Sequence, residues 1–455
     1  MELIYDVGDK PKGLSLIAFA LQQMLAILAA TIAVPVIIGN GLTPAAAMFG
    51  AGVGTIVYLL FTQRKSPVFL GSSFAFIGSM SAAFAGSVSM AQGMAGLILG
   101  AICAGLVYVL LAVLIKVVGV DWINKLMPPV VIGPTVAIIG LSLSSNAIGD
   151  LRSSDVVELQ GTNYAAIVCG IITLFVTMIC TVYGKKMLKL IPFIIGILAG
   201  YAAAAVMTAI GNSAGIDALK IIDFSVFERY MFADGVSLST FLRMPDLVVI
   251  KAADGLGDID SSYFLTILVA YTPVAFVVFA EHIADHKNLS SVIGRDLLTD
   301  PGLSRTLLGD GVGSMFGAVF GGCPNTTYGE SVGCVAITRN ASVITIITAA
   351  IGCILLSFIT PFVAFIDSIP SCVMGGVCVA LYGFIAVSGL KMLGKVDFDN
   401  DRNLFTASVI LIAGIGGLSL NFGAVTLTEI ATALILGMIV NLLLSAKKGG
   451  SEPQK

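Results

Sequence analysis

Charge is scarce in this chain. Asp, Glu, Lys and Arg supply 11% of its 455 residues, less than half of the roughly 25% usual in soluble domains. The 24 basic residues are spread over short connections, so no basic face exists for a nucleic acid, and none is expected as a partner. Histidine is scarcer still, with only His282 and His286. No glycine-rich phosphate loop is present, which excludes ATP-driven work by this chain. None of the eight cysteines forms a Cys-x-x-Cys pair, and all fall in or beside apolar runs. They read as small buried apolar residues, with no disulfide framework and no cysteine metal site. Residues 1–13 are polar and lack a basic stretch leading into an apolar run, so no cleavable signal is expected.

What fills the chain instead is apolar sequence. Hydrophobic residues make up 57% of it, and the mean hydropathy is +1.01. The expected fold class is an all-α polytopic membrane protein, its solvent the lipid bilayer. Fourteen apolar segments are discernible, roughly at 14–39, 43–62, 68–86, 91–118, 127–148, 164–183, 188–210, 262–284, 303–320, 323–339, 342–367, 370–389, 402–420 and 426–445. Several reach the about 20 residues that a spanning helix needs. With the N-terminus inside, only Arg152, Lys220, Arg229, Arg243 and Lys251 fall on outer connections. The other 19 of the 24 basic residues are then inside, as the positive-inside rule requires. This asymmetry predicts an even number of spans with both termini cytoplasmic.

The largest polar insertion, 211–261, falls on the outer side and is acidic on balance, with Asp217, Asp223, Glu228, Asp234, Asp246, Asp254, Asp258 and Asp260. It is expected to lie ordered on the protein. It also divides the chain into two sets of seven segments. An odd number per half inverts one half relative to the other, an arrangement common in transporters.

One stretch cannot be an ordinary spanning helix. Residues 321–339 are broken by Gly321, Gly322, Pro324, Gly329 and Gly333, and they carry Asn325, Thr326, Thr327, Tyr328 and Glu330. Non-helical backbone at membrane depth survives only where protein buries it or where it lines a cavity. A carboxylate there costs about 3 kcal/mol even on lenient scales. A short broken segment with an acid predicts a midplane binding site. The third segment of the first half holds Gly71-Ser72-Ser73-Phe74-Ala75-Phe76, at the corresponding place. Two such segments meeting would present unpaired N–H groups at helix starts to one ligand. Close helix packing by small residues is the alternative reading of Ser72 and Ser73.

Three further groups carry chemistry. Glu281 and Asp285 are four apart and share a helix face, with His282 and His286 on a face about 100° away. His-x-x-Asp-His resembles an inverted zinc-hydrolase pattern, so an intramembrane zinc enzyme is a different-class alternative. Against it, the general-base position holds Asp285 rather than Glu, and no third histidine exists to complete a catalytic zinc. The competing reading of the histidines is a helix end emerging into the cytosol. Asp310, among Gly309, Gly311 and Gly313, is either a proton or hydrogen-bonding group at membrane depth or a helix cap. Nearby carboxylates in low dielectric resist carrying charge together, so Glu281, Asp285 and Asp310 are candidates for holding a coupling proton.

The chain resembles the nucleobase–ascorbate transporter family, and within it the bacterial uracil permeases. The matching stretches are residues 22–35, Gly71 to Phe76, Ala280-Glu281-His282, Asp300 to Leu303, Pro324-Asn-Thr-Thr-Tyr-Gly-Glu330 with Gly333 and Thr338-Arg339, and Leu381-Tyr382-Gly383. They run through nearly the whole chain apart from 211–261. The resemblance implies fourteen segments in two inverted sevens, with short antiparallel strands in broken segments 3 and 10. It implies a core domain at 1–119 and 262–367, and a gate domain at 120–210 and 368–455. It further implies a homodimer in the bacterial cytoplasmic membrane, elevator-like motion, and coupling to protons with no other cofactor. Glu281 and Glu330 match the family's substrate-binding carboxylates. Phe74 and Gly329, beside Ser73 and Tyr328, match positions that present backbone N–H groups. Tyr382 matches a residue near the site, and Asp285 one implicated in coupling. Three departures stand out: Gln23 where relatives often have His, Ser331 in place of Asn, and Asp285 where the uracil type has His. Glu330 favours uracil, because purine branches typically carry Gln there. A purine or xanthine permease is the same-class alternative, and an anion channel or exchanger on a related scaffold the further one.

Overall fold

The computed structural model describes residues 3–119, 121–156, 162–185, 187–232, 235–422 and 425–445. Lys186, Asp234 and the tail beyond 445 lie outside these residues. The helices used below are α1 (Gly13–Ile38), α2 (Pro44–Phe61), α3 (Ile77–Ala85), α4 (Met90–Val118), α5 (Pro129–Ser142), α6 (Tyr164–Tyr183), α7 (Pro192–Ala214), α8 (Ser261–Ile293), α9 (Leu303–Gly321), α10 (Gly329–Thr338), α11 (Val343–Leu356), α12 (Ser371–Leu393), α13 (Asp401–Ile415) and α14 (Glu429–Ser445). Among the described residues, eight helices are long and apolar enough to cross a membrane, which makes this a multi-pass membrane protein. The remaining sequence-predicted segments hold helices that are shorter, broken or too rich in glycine to qualify.

The helix starts follow from local chemistry. Thr43 accepts from Ala46 N and Pro44 occupies the first turn of α2, where a missing N–H costs nothing. Ser89 caps α4 through Gln92 N, Asn163 caps α6, and Asp260 caps α8 through Tyr263 N. Gly294, left-handed at φ 70°, ends α8.

Where the sequence expected broken segments, the backbone is extended. Strand β1 (Leu70–Ser72) pairs antiparallel with β2 (Asn325–Thr327), with Gly71 opposite Thr326. Ser73 N donates to Pro324 O at 2.9 Å and Tyr328 N to Phe69 O at 3.3 Å, which extends the ladder at both ends. Pro324 and the β-branched pair Thr326-Thr327 oppose a helix here, and pairing supplies the hydrogen bonds that lipid cannot. A second antiparallel strand pair, Leu420–Phe422 with Val425–Leu427, stands where the sequence predicts one apolar segment ending at 420 and another starting at 426.

The strand pair is held by a seam of glycines. Gly309, Gly313, Gly317 and Gly321 recur every fourth residue along α9; the last three meet Gly50 and Gly54 of α2, and Gly309 meets Tyr58. A Cβ on Gly50 would lie 2.4 Å from Gly317 O, so only glycine permits this approach. Asn325 of β2 reaches into the seam and donates to Gly50 O at 3.2 Å. Helix α9 thus packs between α2 and α4. A second group forms where α12 packs on α5 and α6, α7 on α6, and α13 on α5 and α14. Helix α8 contacts α3, α4, α10 and β2 on the first side and approaches α5 and α14 on the other.

Gly71 is the most constrained residue of the strand pair. An added Cβ would lie 2.3 Å from the Tyr328 ring. Tyr328 in turn donates its hydroxyl to Ser72 O at 2.8 Å. Gly71→Ala is expected to destabilise the protein by about 1–3 kcal/mol through overpacking. Thermal unfolding of the purified protein in detergent checks this; an unshifted midpoint contradicts the packing described.

Candidate functional site

A cavity of about 450 Å³ lies between the two helix groups, within the roughly 300–1,000 Å³ typical of small-molecule sites. Its two walls differ in chemistry. Ser73 and Phe74, Thr326 to Glu330, and Glu281, Asp285 and Asn288 of α8 make a polar wall. Ile132, Val136 and Ile139 of α5, Phe193 of α7, and Leu381, Phe384 and Ile385 of α12 make an apolar one.

The polar wall is built from helix starts and one helix face. Phe74 opens a 3₁₀ turn, Phe74–Phe76, after β1, and Gly329 opens α10 after β2. The leading N–H groups of a helix have no partner within it and carry its positive end, so these two residues offer donors to an acceptor in the cavity. On α8, Glu281, Asp285 and Asn288 are one and two turns apart and face the same space. Thr327 donates its hydroxyl to Asp285 Oδ2 at 2.9 Å, which fixes that carboxylate against β2. Ser73 Oγ and Thr326 Oγ1 are buried without a protein partner among the described residues. A buried hydroxyl in that condition costs about 1–3 kcal/mol, so both suit contact with a polar ligand. All charged residues lining the cavity are carboxylates.

Not every expected site residue reaches the cavity. Tyr382 is buried behind it, its ring edge-on to Phe74 with centroids 5.9 Å apart. Asp310 also lies behind the wall, with His282 Nδ1 2.8 Å from its Oδ2. The helix-cap reading of Asp310 does not hold, since Asp310 sits inside α9. The two histidines correct the expectation of a solvated helix end: α8 continues beyond them to Ile293, and both are wholly buried against α9 and α2. His282 Nε2 is 3.0 Å from Thr306 Oγ1, while His286 is held by its own helix at His282 O and by Tyr58 of α2. With both ring nitrogens of each engaged, the pair does not converge on a shared metal. No cluster of three His, Cys, Asp or Glu suited to a metal occurs among the described residues.

The departures Gln23 and Ser331 meet each other. Gln23 Nε2 donates to Ser331 Oγ, which itself accepts from Phe69 N at 2.9 Å and so anchors the entry to β1. Asn288, Thr306, Tyr58 and Ser66 were missed in the sequence. Asn288 was within reach, since it lies two turns beyond Glu281; the others join the site's back only through tertiary packing.

The family model described as Permease family, Xan_ur_permease, matches residues 14–422. The chain is 38% identical to the uracil permease of Bacillus subtilis (strain 168), covering 97% of this chain and 95% of that one. It is 37% identical to the uracil permease of Bacillus caldolyticus, covering 99% and 96%. With the uracil permease of Escherichia coli (strain K12) it shares 35% identity over 96% and 93%. Among solved structures, the transmembrane domain of a cyanobacterial bicarbonate transporter, BicA, superposes with TM-score 0.61 at 13% identity, over 94% of this chain and 97% of that one. The murine anion transporter Slc26a9 in its inward-facing state gives TM-score 0.65 at 11% identity, over 96% and 69%. These two likenesses concern the fold.

Proposed function

The chain belongs to the permease family, a family of transporters and not of enzymes, and we propose that it imports uracil across the bacterial cytoplasmic membrane together with a proton. The observation that carries the substrate is the two-faced cavity. Uracil is planar and neutral, with two N–H donors and two carbonyl acceptors. Glu281 and Glu330 accept from the N–H groups, the starts of α10 and the Phe74 turn donate to the carbonyls, and the apolar wall covers the ring face. Two or three charge-assisted hydrogen bonds at about 1.5–3 kcal/mol each support micromolar binding. The names of the permease relatives agree with this substrate.

The mechanism proposed is an elevator. Helices α1–α4 and α8–α11, with the strand pair, act as the moving core, and α5–α7 with α12–α14 as the gate. Their packing into two groups with the cavity between supports this. Fourteen membrane segments in two inverted sevens, both termini cytoplasmic, and a homodimer complete the reading. The cavity follows α8 to Asn288 and α12 to Ser388 and Met392, beside Lys287, Lys391 and Lys395. With the basic ends inside, this is an inward-facing state. Asp285, which lines the cavity, is assigned the coupling role ahead of Asp310, which does not.

The fold likeness to anion transporters raises a second reading, an anion carrier. The site opposes it, because three carboxylates and no Lys or Arg line the cavity. The substrate assignment is tested at Glu330. Glu330→Gln is expected to weaken uracil binding by about 1.5–3 kcal/mol, one charge-assisted hydrogen bond. Calorimetry on folded, purified protein measures it; unchanged affinity excludes Glu330 as a ligand.

A further inference from the structure

The buried pair behind the cavity wall carries an inference about how the site is aimed. Thr306 donates its hydroxyl hydrogen to Leu303 O at 3.1 Å, so its oxygen accepts, and His282 Nε2 bears the N–H facing it. That leaves His282 Nδ1 and Asp310 Oδ2, 2.8 Å apart, with one proton between them. Whether it rests on nitrogen or on oxygen, the pair is neutral as a whole, which suits side chains that are both 0% exposed. His286 is fixed as well. Its Nδ1 faces His282 O at 2.8 Å, and a carbonyl only accepts, so the hydrogen is on Nδ1. Its Nε2 therefore accepts, taking one hydrogen from the linked hydroxyls of Tyr58 and Ser66, which lie 2.7 Å and 3.3 Å away.

Glu281 immediately precedes His282 on α8. We infer that His282, clamped between Asp310 and Thr306, is a positioning residue that fixes the rotation of α8 and thereby the aim of Glu281, and that the clamp retains its one proton throughout transport. This rests on the reading of Glu281 as a substrate ligand. Asp310 is then an anchor and not the coupling acid. The ionisable groups around the clamp are Tyr108 from α4, Tyr58 from α2, Glu330 from α10 across the cavity, and Glu281, Asp285 and His286 on α8 itself.

Two measurements separate this from its alternatives. The chain has only two histidines, so ¹⁵N-histidine labelling reads both rings directly by NMR. Both are expected to keep one set of nitrogen shifts from about pH 5 to pH 8, the window in which an ordinary histidine titrates. A His282 ring that titrates there overturns the retained proton, and this holds whatever the substrate proves to be. In the second measurement, Asp310→Asn lets an amide N–H donate to His282 Nδ1. It is expected to keep uracil affinity within about threefold of the parent and to keep gradient-driven accumulation, whereas Asp310→Leu loses at least about tenfold in affinity. Accumulation lost in Asp310→Asn with affinity intact would make Asp310 the coupling acid. Unchanged affinity in Asp310→Leu removes the positioning role. If that variant does not fold, Thr306→Val removes the other anchor and is expected to weaken binding in the same way; unchanged affinity there counts against the clamp. A parent protein that binds no uracil refutes the substrate, while the histidine spectra still decide the clamp.

Discussion

Glu281→Gln is expected to weaken uracil binding by about 3 kcal/mol, the upper end for a charge-assisted hydrogen bond, and to abolish uptake. Two features place it at that end. Glu281 lies on the polar wall opposite the apolar residues of α5 and α12, so bound substrate faces it with little competing water. It also sits next to Asp285 and across from Glu330, so its replacement changes the shared charge of the whole set. Binding is measured by calorimetry and transport by uptake into liposomes. A variant that binds normally and transports slowly would place Glu281 in coupling alone.

Asp285→Asn is expected to give the opposite division. Asn still accepts the Thr327 hydroxyl that now reaches Asp285 Oδ2 at 2.9 Å, so the strand–helix contact survives and uracil still binds. What it cannot do is take up and release a proton. Uracil counterflow, which needs no gradient, should therefore persist, while accumulation driven by a pH gradient is lost. Should the variant concentrate uracil as the parent does, the proton rides on a glutamate, or the driving ion is not a proton.

The sequence was most legible where membrane physics leaves few options. Pro324 and the surrounding glycines rule out a continuous helix, and backbone at that depth needs a partner; the antiparallel pairing of β1 with β2 is the result. The shared face of Glu281 and Asp285 follows from helical spacing alone, and both line one cavity. Spacing is silent, however, on what the opposite face meets. His282 and His286 read as a solvated helix end because Lys287 follows them and the apolar run stops there. Their burial depends on α9 and α2 packing behind α8, which Gly309, Gly313 and Gly317 make possible. Asp310 is similar: its glycine neighbours marked it as unusual, but its partner lies 28 residues away on another helix. The pairing of Leu420–Phe422 with Val425–Leu427 is hidden by the two apolar runs it joins, which resemble helix ends. Gln23 and Ser331, each odd against the family pattern, make sense only together, as one hydrogen-bonded contact that anchors β1.

Proton-coupled uracil movement by this chain is the property to be tested. Its most direct test is radiolabelled uptake by purified protein in proteoliposomes, offered uracil, xanthine, adenine and bicarbonate, with and without an inward proton gradient. Uracil alone is expected to accumulate, only when the outside is acidic, and collapsing the gradient is expected to release it. Accumulation of xanthine or bicarbonate in preference to uracil, or uracil accumulation indifferent to the gradient, would contradict it.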